Sequence, residues 1–223
     1  MSYFHNSFDY GGGGSGYGVE CNFHTTDVLV EDNVFDSLRH AMMVQVGANG
    51  NVFGYNYSVN SVQSEGGPNL NEGWIPPDIS VHGHYPFMNL FESNIVEEIG
   101  IADYWGPAGM GNTYFRNRVN GEGIFIYDHS HNQNIIGNET TFIIDDESNS
   151  YDLIIHGNEV SNSIIWDPEF PKELPPSLYL DSIPDFFYHE YWPIFGPDVL
   201  RPLKLPAQIR FENGFPTIIP GSQ

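Results

Sequence analysis

A short repeat built around one asparagine recurs along most of the chain. Its clearest copy is residues 28–35, VLVEDNVF, in which alternating apolar residues precede Asn33. The asparagines follow one another at steps of 27, 23, 38, 23, 21 and 20 residues, and removing a 16-residue insertion (residues 63–78) from the longest step leaves 22. A period of roughly 20–23 residues that holds across most of a chain indicates a solenoid. The repeat asparagines are Asn6, Asn33, Asn56, Asn94, Asn117, Asn138 and Asn158.

The units of this repeat are β-strands rather than helices. Each apolar patch is short and alternates, as in Val28 and Val30 or Ile124 and Ile126, and Gly and Asn punctuate the patches. Short strands and tight turns at this period predict a single-stranded, right-handed parallel β-helix of about seven coils, an all-β fold. Equivalent asparagines would then form a column in which each side chain hydrogen-bonds to the next, and would supply the left-handed backbone of the corner.

The charge balance limits the partners of the chain. Its 223 residues include 7 Lys and Arg against 29 Asp and Glu, for a formal net charge of −22. Such a surface repels nucleic acid and anionic membranes, so neither is expected as a partner. The single cysteine, Cys21, excludes an internal disulfide. The acidic stretch Asp145, Asp146 and Glu147 could hold Ca²⁺, but a solvated acidic turn is the favoured interpretation.

The period ends after Trp166, and the composition changes there. The stretch from 167 to 223 is rich in proline, which excludes helix and central strand. It is also rich in aromatic residues, which give it too much apolar surface for a solvated linker. We therefore expect coils over residues 1–166, with residues 63–78 as a long loop, and a tail over 167–223 that packs on the solenoid and caps it. The abrupt start within a repeat suggests a longer parent protein, and oligomeric state is left open.

Two blocks of sequence carry a resemblance to a known family. Residues 28–58, VLVEDNVFDSLRHAMMVQVGANGNVFGYNYS, and the tail segment LPPSLYLDSIPDFFYHEYWPIFGPDV resemble bacterial right-handed parallel β-helix proteins of the pectin-lyase-like superfamily. The resemblance covers about residues 20–215. It implies the β-helix fold, an extracellular or cell-surface location of the parent protein, and a polysaccharide or oligosaccharide as partner. It does not imply one activity, because the superfamily includes lyases, hydrolases, epimerases, esterases and tailspikes.

Polar and aromatic residues at similar offsets from successive asparagines predict a cleft on the outer surface. Gln45 lies 12 residues after Asn33, and Asp128 lies 11 after Asn117. The segments HGH, DYW and YDHSH should therefore occupy three consecutive coils near one column, with the 63–78 loop beside them. The cleft would contain His82, His84, Asp103, Tyr104, Trp105, Tyr127, Asp128, His129 and His131.

These residue types suit glycan chemistry. Paired carboxylates could serve as general acid and base, a His could remove the proton next to a uronate carboxyl, and aromatic rings could stack on sugars. Arg39 is the best candidate for contacting an acidic sugar. The predicted catalytic residues are His82, His84, Asp103, Asp128, His129 and Arg39, and the predicted substrate-binding residues are Trp105, Tyr104, Tyr127, Gln45 and Trp74.

Alternatives remain open at this point. His82 and His84 share one strand face and could bind a metal ion with His129 or Asp103, or could simply be solvated at turns. The three-Asp motif of polygalacturonase-like hydrolases and the Asp-Pro-His motif of alginate epimerases are absent, and Lys occurs only in the tail, at Lys172 and Lys204. The sequence thus favours a polysaccharide lyase or glycoside hydrolase, with a non-catalytic glycan-binding or structural module as the second hypothesis.

Overall fold

The fold is a parallel β-solenoid of about six turns followed by a tail with one short helix. The computed structural model describes residues 1–10, 15–62, 76–103, 105–145, 148–187, 191–199 and 203–217. In chain order the elements are β1 (Tyr3–His5), β2 (Tyr17–Cys21), β3 (Leu29–Glu31), β4 (Val34–Asp36), β5 (His40–Gln45), β6 (Val52–Gly54), β7 (Tyr57–Val59), β8 (Ile79–His82), β9 (Leu90–Glu92), β10 (Ile95–Ile101), β11 (Thr113–Phe115), β12 (Arg118–Ile126), β13 (Asn134–Ile136), β14 (Glu139–Thr140), β15 (Ile143–Asp145), β16 (Ile154–His156), β17 (Asn158–Val160), β18 (Ser163–Ile165) and α1 (Pro206–Glu212).

The strands stack into three faces. Face 1 contains β3, β6, β9, β11, β13 and β16. Face 2 contains β1, β4, β7, β14, β17 and the first halves of β10 and β12; face 3 contains β2, β5, β8, β15 and the second halves of β10 and β12. All of these pairs are parallel, and only β18 folds back antiparallel onto β17. Each coil therefore runs through face 1, face 2 and face 3 in turn, as the repeat predicts.

The core is a set of columns of like side chains from successive coils. On face 1 the rings of Phe53, Phe91 and Tyr114 stack one above another, with centroids 5.2 Å and 5.4 Å apart. On face 3 the buried column includes Val81, Ile101 and Ile126. Because parallel coils repeat at about 4.8 Å, residues at the same position in the repeat meet directly, which explains why the alternation survives from coil to coil.

A buried asparagine ladder follows the corner between face 1 and face 2. Each side-chain amide donates to the carboxamide oxygen of the next coil, from Asn33 through to Asn158, at 2.9–3.1 Å. The left-handed residue of this corner is the one before each asparagine, such as Asp32 (φ 51°) or Ser93 (φ 56°), so the expectation that asparagine itself adopts this backbone is wrong. The ladder asparagines are held in place by their hydrogen bonds.

Asn6 does not belong to this ladder. It is exposed, and its amide donates to the carbonyl of Asp36, because Tyr3 pairs with Val34. The ladder position of the first coil is Ser2, whose amide donates to Asn33 Oδ1 at 2.8 Å. The sequence alignment of the first copy was therefore four residues out of register, since a local Y-F-x-N match does not report which asparagine faces inward.

A second polar ladder, which the repeat analysis missed, lies at the corner between face 3 and face 1. Asn51 donates to Asn89 at 3.0 Å, Asn89 to Asn112 at 3.0 Å, and Asn112 to the side-chain oxygen of Gln133 at 3.2 Å. All four side chains are fully or almost fully buried. The corners of the solenoid on either side of face 1 are therefore fixed by buried side-chain amides, which satisfy turn carbonyls that no strand can pair.

The tail packs along face 1 and is anchored by two carboxyl groups, of which Glu92 is buried and Glu31 half-buried. The amide of Leu178 donates to Glu92 Oε2 at 2.9 Å, and Tyr179 Oη donates to Glu31 at 2.7 Å. Glu92 has no exposed surface, and burial, the dominant cause, raises its pKa to about 7. Gly54 leaves room for Tyr179, because a Cβ there would lie 2.3 Å from the phenol oxygen.

One arginine ties three parts of the tail to the corner of faces 1 and 2. Arg116 is fully buried and donates to the carbonyls of Pro175 and Phe195, at 3.0 Å and 2.6 Å. Its guanidinium also makes a two-armed ion pair with Asp198, at 2.7 Å and 2.9 Å, which holds the pKa of that carboxyl below its usual range. This fork geometry satisfies nearly all donors of the guanidinium in an otherwise apolar place.

The tail also contains a helix, which the proline content was expected to exclude. Helix α1 begins at Pro206 and is free of proline thereafter; a proline at the first helical position costs nothing because its missing N–H would be unpaired there anyway. Nη1 of Arg210 donates to both carboxylate oxygens of Asp32, at 3.0 Å and 2.8 Å, and Nη2 donates to the Asp32 carbonyl at 2.8 Å, all in the interior. The described tail thus contacts faces 1 and 2, and not only the end of the solenoid.

Candidate functional site

The predicted cleft residues gather at the corner where face 3 strands end and the chain turns toward face 1. Gln45 and His82 are paired neighbours at the ends of β5 and β8. On the next two coils, Ile101 pairs with Ile126, so that Asp103 and Asp128 each follow a paired strand end by two residues. The segments HGH, DYW and YDHSH therefore lie on three successive coils, at what we call the face 3–face 1 corner.

A His–Asp pair beside an indole is the centre of this corner. Nδ1 of His82 is in direct contact with Oδ2 of Asp103, and their side chains are 19% and 27% exposed. The ring of Trp105 is half exposed and lies 6.3 Å from the His82 ring and 6.1 Å from the His84 ring, between centroids. The contact places a carboxylate against one nitrogen of the imidazole and leaves Nε2 as the nitrogen that can exchange a proton with a ligand.

A glycine brings the two coils close enough for this arrangement. Gly83 has φ 44°, and a Cβ there would lie 2.6 Å from Cβ of Trp105 and 2.9 Å from its carbonyl oxygen. The amide of Trp105 donates to Asp103 Oδ1 at 3.0 Å, while Asp103 Oδ2 holds His82. The HGH segment therefore needs its central glycine for a steric reason, since any side chain would push the Trp105 loop away from His82.

Polar side chains continue from His82 toward the N-terminal end of the solenoid. Nε2 of Gln45 contacts Oε1 of Glu20, and Asn22 Nδ2 donates to the same oxygen at 2.7 Å. Gln45 lies directly below His82 in the strand register. Amide and carboxylate groups at this position can exchange hydrogen bonds with hydroxyl groups of a ligand, although Gln45 already uses one donor on Glu20.

The remaining corner residues form a second group whose contacts run to the following coil. Tyr127 stacks on Phe125 with centroids 6.0 Å apart, and His131 stacks on Tyr151 at 3.5 Å. The amide of His129 donates to the side-chain oxygen of Asn149 at 3.0 Å, and Asp128 Oδ1 lies 3.6 Å from His129 Nδ1. His129 is thus held at the surface by Asn149 of the following coil, and Asp128 contacts His129 beside it.

Arg39 lies at the other end of the face 3 strands, just before β5. Its guanidinium carbon is 5.6 Å from the centroid of the Tyr17 ring, and its Nε and Nη1 are buried with no hydrogen-bond acceptor in the described part of the chain. Burial raises the pKa of Tyr17, Arg39 lowers it, and the charge of Asp103 adds a smaller upward effect. Arg39 therefore lies apart from the His82–Asp103 pair, at the opposite end of the face 3 strands.

A buried carboxyl group that the sequence analysis missed lies near the start of β8 and β10. Glu98 is 6% exposed, and burial followed by the charges of Asp78 and Glu122 raises its pKa to about 7. Asp78 accepts hydrogen bonds from the hydroxyls of Ser58 and Ser61 and from the amide of Glu97, at 2.6–2.7 Å. The sequence signal for Glu98 is the pair Glu97 and Glu98 inside the apolar strand β10.

Several predicted features lie outside the described residues or have no counterpart among them. Tyr104, Trp74, Asp146, Glu147 and most of the 63–78 loop are not described. Across the described ranges, no three His, Cys, Asp or Glu side chains are placed so that they could hold a metal ion. Within those same ranges, no helix has the length and apolar character needed to span a membrane.

The chain matches no protein-family model, no curated protein and no solved structure. The likeness to pectin-lyase-like β-helices therefore rests on the repeat and on the tail motif quoted above. Parallel β-solenoids host many activities, so only the chemistry of the face 3–face 1 corner itself indicates a function.

Proposed function

We propose that the protein binds a linear glycan along the face 3–face 1 corner and cleaves it there, as a polysaccharide lyase or a glycoside hydrolase. The observation that carries the proposal is the contact between His82 and Asp103 beside the half-exposed ring of Trp105. Trp105 offers a flat apolar surface on which a sugar ring can stack, and the His–Asp pair offers a proton acceptor next to it.

Two chemical routes are available to these residues. In an elimination, Nε2 of His82 removes the proton next to a uronate carboxyl. The electron pair left behind forms a carbon–carbon double bond as the bond to the glycosidic oxygen breaks, and the departing oxygen takes up a proton from water. In a hydrolysis, Asp103 and Asp128, at equivalent positions on adjacent coils, act as a carboxyl pair. Both routes need Asp103, either to orient His82 or to exchange the proton itself.

The test is a panel of neutral and acidic polysaccharides assayed for new reducing ends and for the ultraviolet absorbance of unsaturated uronates. Both signals rise for a lyase, and reducing ends alone rise for a hydrolase. Asp103→Asn should lower the rate by about a hundredfold or more, the usual effect of removing a proton-transfer group, while its melting temperature stays near that of wild type. An Asp103→Asn variant with wild-type rates would contradict the proposal.

Glu169→Gln serves as the matched control, because Glu169 is an exposed carboxylate on the tail. It removes one negative charge from the surface, as Asp103→Asn does, but at a distance from the corner. A rate loss confined to Asp103→Asn therefore reports on the site and not on the net charge of the protein.

A second candidate is a non-catalytic glycan-binding or structural module. It is favoured by the open character of the corner, where Trp105 is half exposed and His84 and His129 are exposed. The apolar cavity lined by Phe115 and Leu174 lies instead between face 1 and the tail. Binding to a polysaccharide with neither assay signal would establish this second function.

A further inference from the structure

Exposed aromatic rings occur at the face 3–face 1 corner well beyond the predicted cleft. Phe23 is 77% exposed, Tyr85 63%, Trp105 50% and Tyr151 58%. They belong to four different turns of the solenoid, from the one that contains β2 to the one that contains β15. Single exposed apolar residues need no explanation, but four exposed rings at one corner of the solenoid do.

The backbone pairing shows that these rings lie along one edge. The amide of His24 donates to the carbonyl of Val46, and the amide of Gly47 donates to the carbonyl of His84. Phe23 and Tyr85 therefore lie at adjacent positions around the same corner. The amide of Tyr85 donates to Pro107 of the Trp105 turn, at 3.3 Å. Further along, the amide of Asn132 donates to Tyr151, whose ring stacks on His131. The rings therefore share one corner, which runs parallel to the solenoid axis with about 4.8 Å between turns, and their positions around that corner differ by up to three residues.

The backbone at this edge holds large side chains in a costly conformation. Phe23, His24, His84, Tyr85 and His129 have φ between 48° and 61°, the left-handed region that bulky residues rarely adopt. The corner of faces 1 and 2 also has left-handed residues with large side chains, but there Tyr55 and Arg116 are fully buried against the tail. At the face 3–face 1 corner the same strain aims rings and imidazoles into solvent, which is typical of binding sites.

We infer that Phe23, Tyr85, Trp105 and Tyr151 form one stacking ridge for a long, unbranched glycan that runs parallel to the solenoid axis. This inference rests on the proposed function and specifies its ligand: a polymer that spans the ridge rather than a short oligosaccharide. From the turn of Phe23 to the turn of Tyr151 the ridge covers five steps, or about 24 Å.

A polymer fits this ridge better than a folded protein does. Polar side chains, among them His84, His129 and Asn149, lie between the rings, and the exposed Met88 and Met110 lie at the same corner. A glycan uses both kinds of group, because its ring faces stack on aromatic rings and its hydroxyls hydrogen-bond to polar side chains. The net charge of −22 further disfavours association of two copies through this edge. One ring per turn or two instead matches a ligand that repeats along its length.

The experiment compares ligand length with ring position. Using a polysaccharide that binds wild type and oligosaccharides of increasing length prepared from it, affinities are measured by calorimetry for Phe23→Ala, Tyr85→Ala, Trp105→Ala and Tyr151→Ala. Phe215→Ala is the control, because Phe215 is 75% exposed on the tail. Asp103→Asn can be added as a second change to every protein in the set, so that the ligands stay intact during the titration.

We expect wild-type affinity to rise with ligand length until the ridge is spanned. Trp105→Ala should weaken every ligand, while Phe23→Ala and Tyr151→Ala should weaken the long ligands about tenfold and leave the shortest ones unchanged. If the Phe23, Tyr85 and Tyr151 variants bind long glycans as wild type does, the ridge is wrong and the proposed function survives. If wild type binds no glycan in the panel, both fail. Self-association that Tyr85→Ala abolishes would also overturn the ridge.

Discussion

Replacement of Asn94 by alanine tests the physical origin of the solenoid most directly. Nδ2 of Asn94 donates to the carbonyl of Phe53 and to Asn117 Oδ1, and its Oδ1 accepts from both the amide and the side chain of Asn56, all at 2.9–3.0 Å. Four hydrogen bonds at about 1 kcal/mol each give about 4 kcal/mol. The two donors of Asn56 left unpaired in the interior add about 1–2 kcal/mol more.

The expected loss is therefore about 5 kcal/mol, a large share of the stability of a domain of this size. Urea unfolding followed by circular dichroism measures it, and an unchanged m-value would show that the same amount of surface is exposed. If Asn94→Ala does not fold, Asn158→Ala at the end of the ladder provides a milder version, since Asn158 makes three of these bonds.

Asn6→Ala is the matched control because Asn6 carries the same sequence motif. Asn6 is exposed and lies outside the ladder, so its replacement should cost about 1 kcal/mol or less, mainly for its left-handed backbone. Equal losses in the two variants, or a loss of under 1 kcal/mol for Asn94→Ala, would refute the argument that buried amide ladders hold the coils together.

Three further predictions concern buried charge and tail packing. Glu98→Gln should match the stability of wild type at pH 4 and exceed it by about 2 kcal/mol at pH 8. The reason is that the folded-state pKa of Glu98 is raised to about 7, so wild type loses stability as the pH rises above the unfolded-state pKa of this carboxyl. Equal melting temperatures of the two proteins at pH 8 would contradict this. Arg210→Met should lower the free energy of unfolding by about 3 kcal/mol at pH 8 and by less at pH 5. Burial raises the pKa of Asp32 to about 6, so at pH 5 this carboxyl can take up a proton and no longer leaves an unpaired charge. Urea titrations at both pH values measure the two losses, and equal losses would count against the argument. Gly54→Ala should displace Tyr179 and speed proteolysis of the tail, and wild-type cleavage rates would show that the tail adapts.

The candidate site shows where counting along a sequence stops being informative. Offsets from the repeat asparagines placed His82, Asp103 and Asp128 on consecutive coils. Counting works for this purpose because the position of a residue within its coil follows directly from its distance along the chain. The same count puts Tyr151 at 13 residues after Asn138, yet its exposure could not be read from the count. Arg39 was expected to contact an acidic sugar, but it lies at the far end of the face 3 strands from the cleft residues, stacked on Tyr17.

The sequence by itself determined the solenoid. Strand alternation and the asparagine period are local and recur from coil to coil, so successive coils predict the same backbone path. The wrong alignment at Asn6 therefore does not alter the predicted fold. The tertiary structure decided the rest. Which asparagine faces inward, the ion pair between Asp32 and Arg210 across 178 residues of sequence, and the exposure of Tyr85 all depend on contacts between distant segments. Burial and pairing are properties of the packed chain, and no local pattern encodes them.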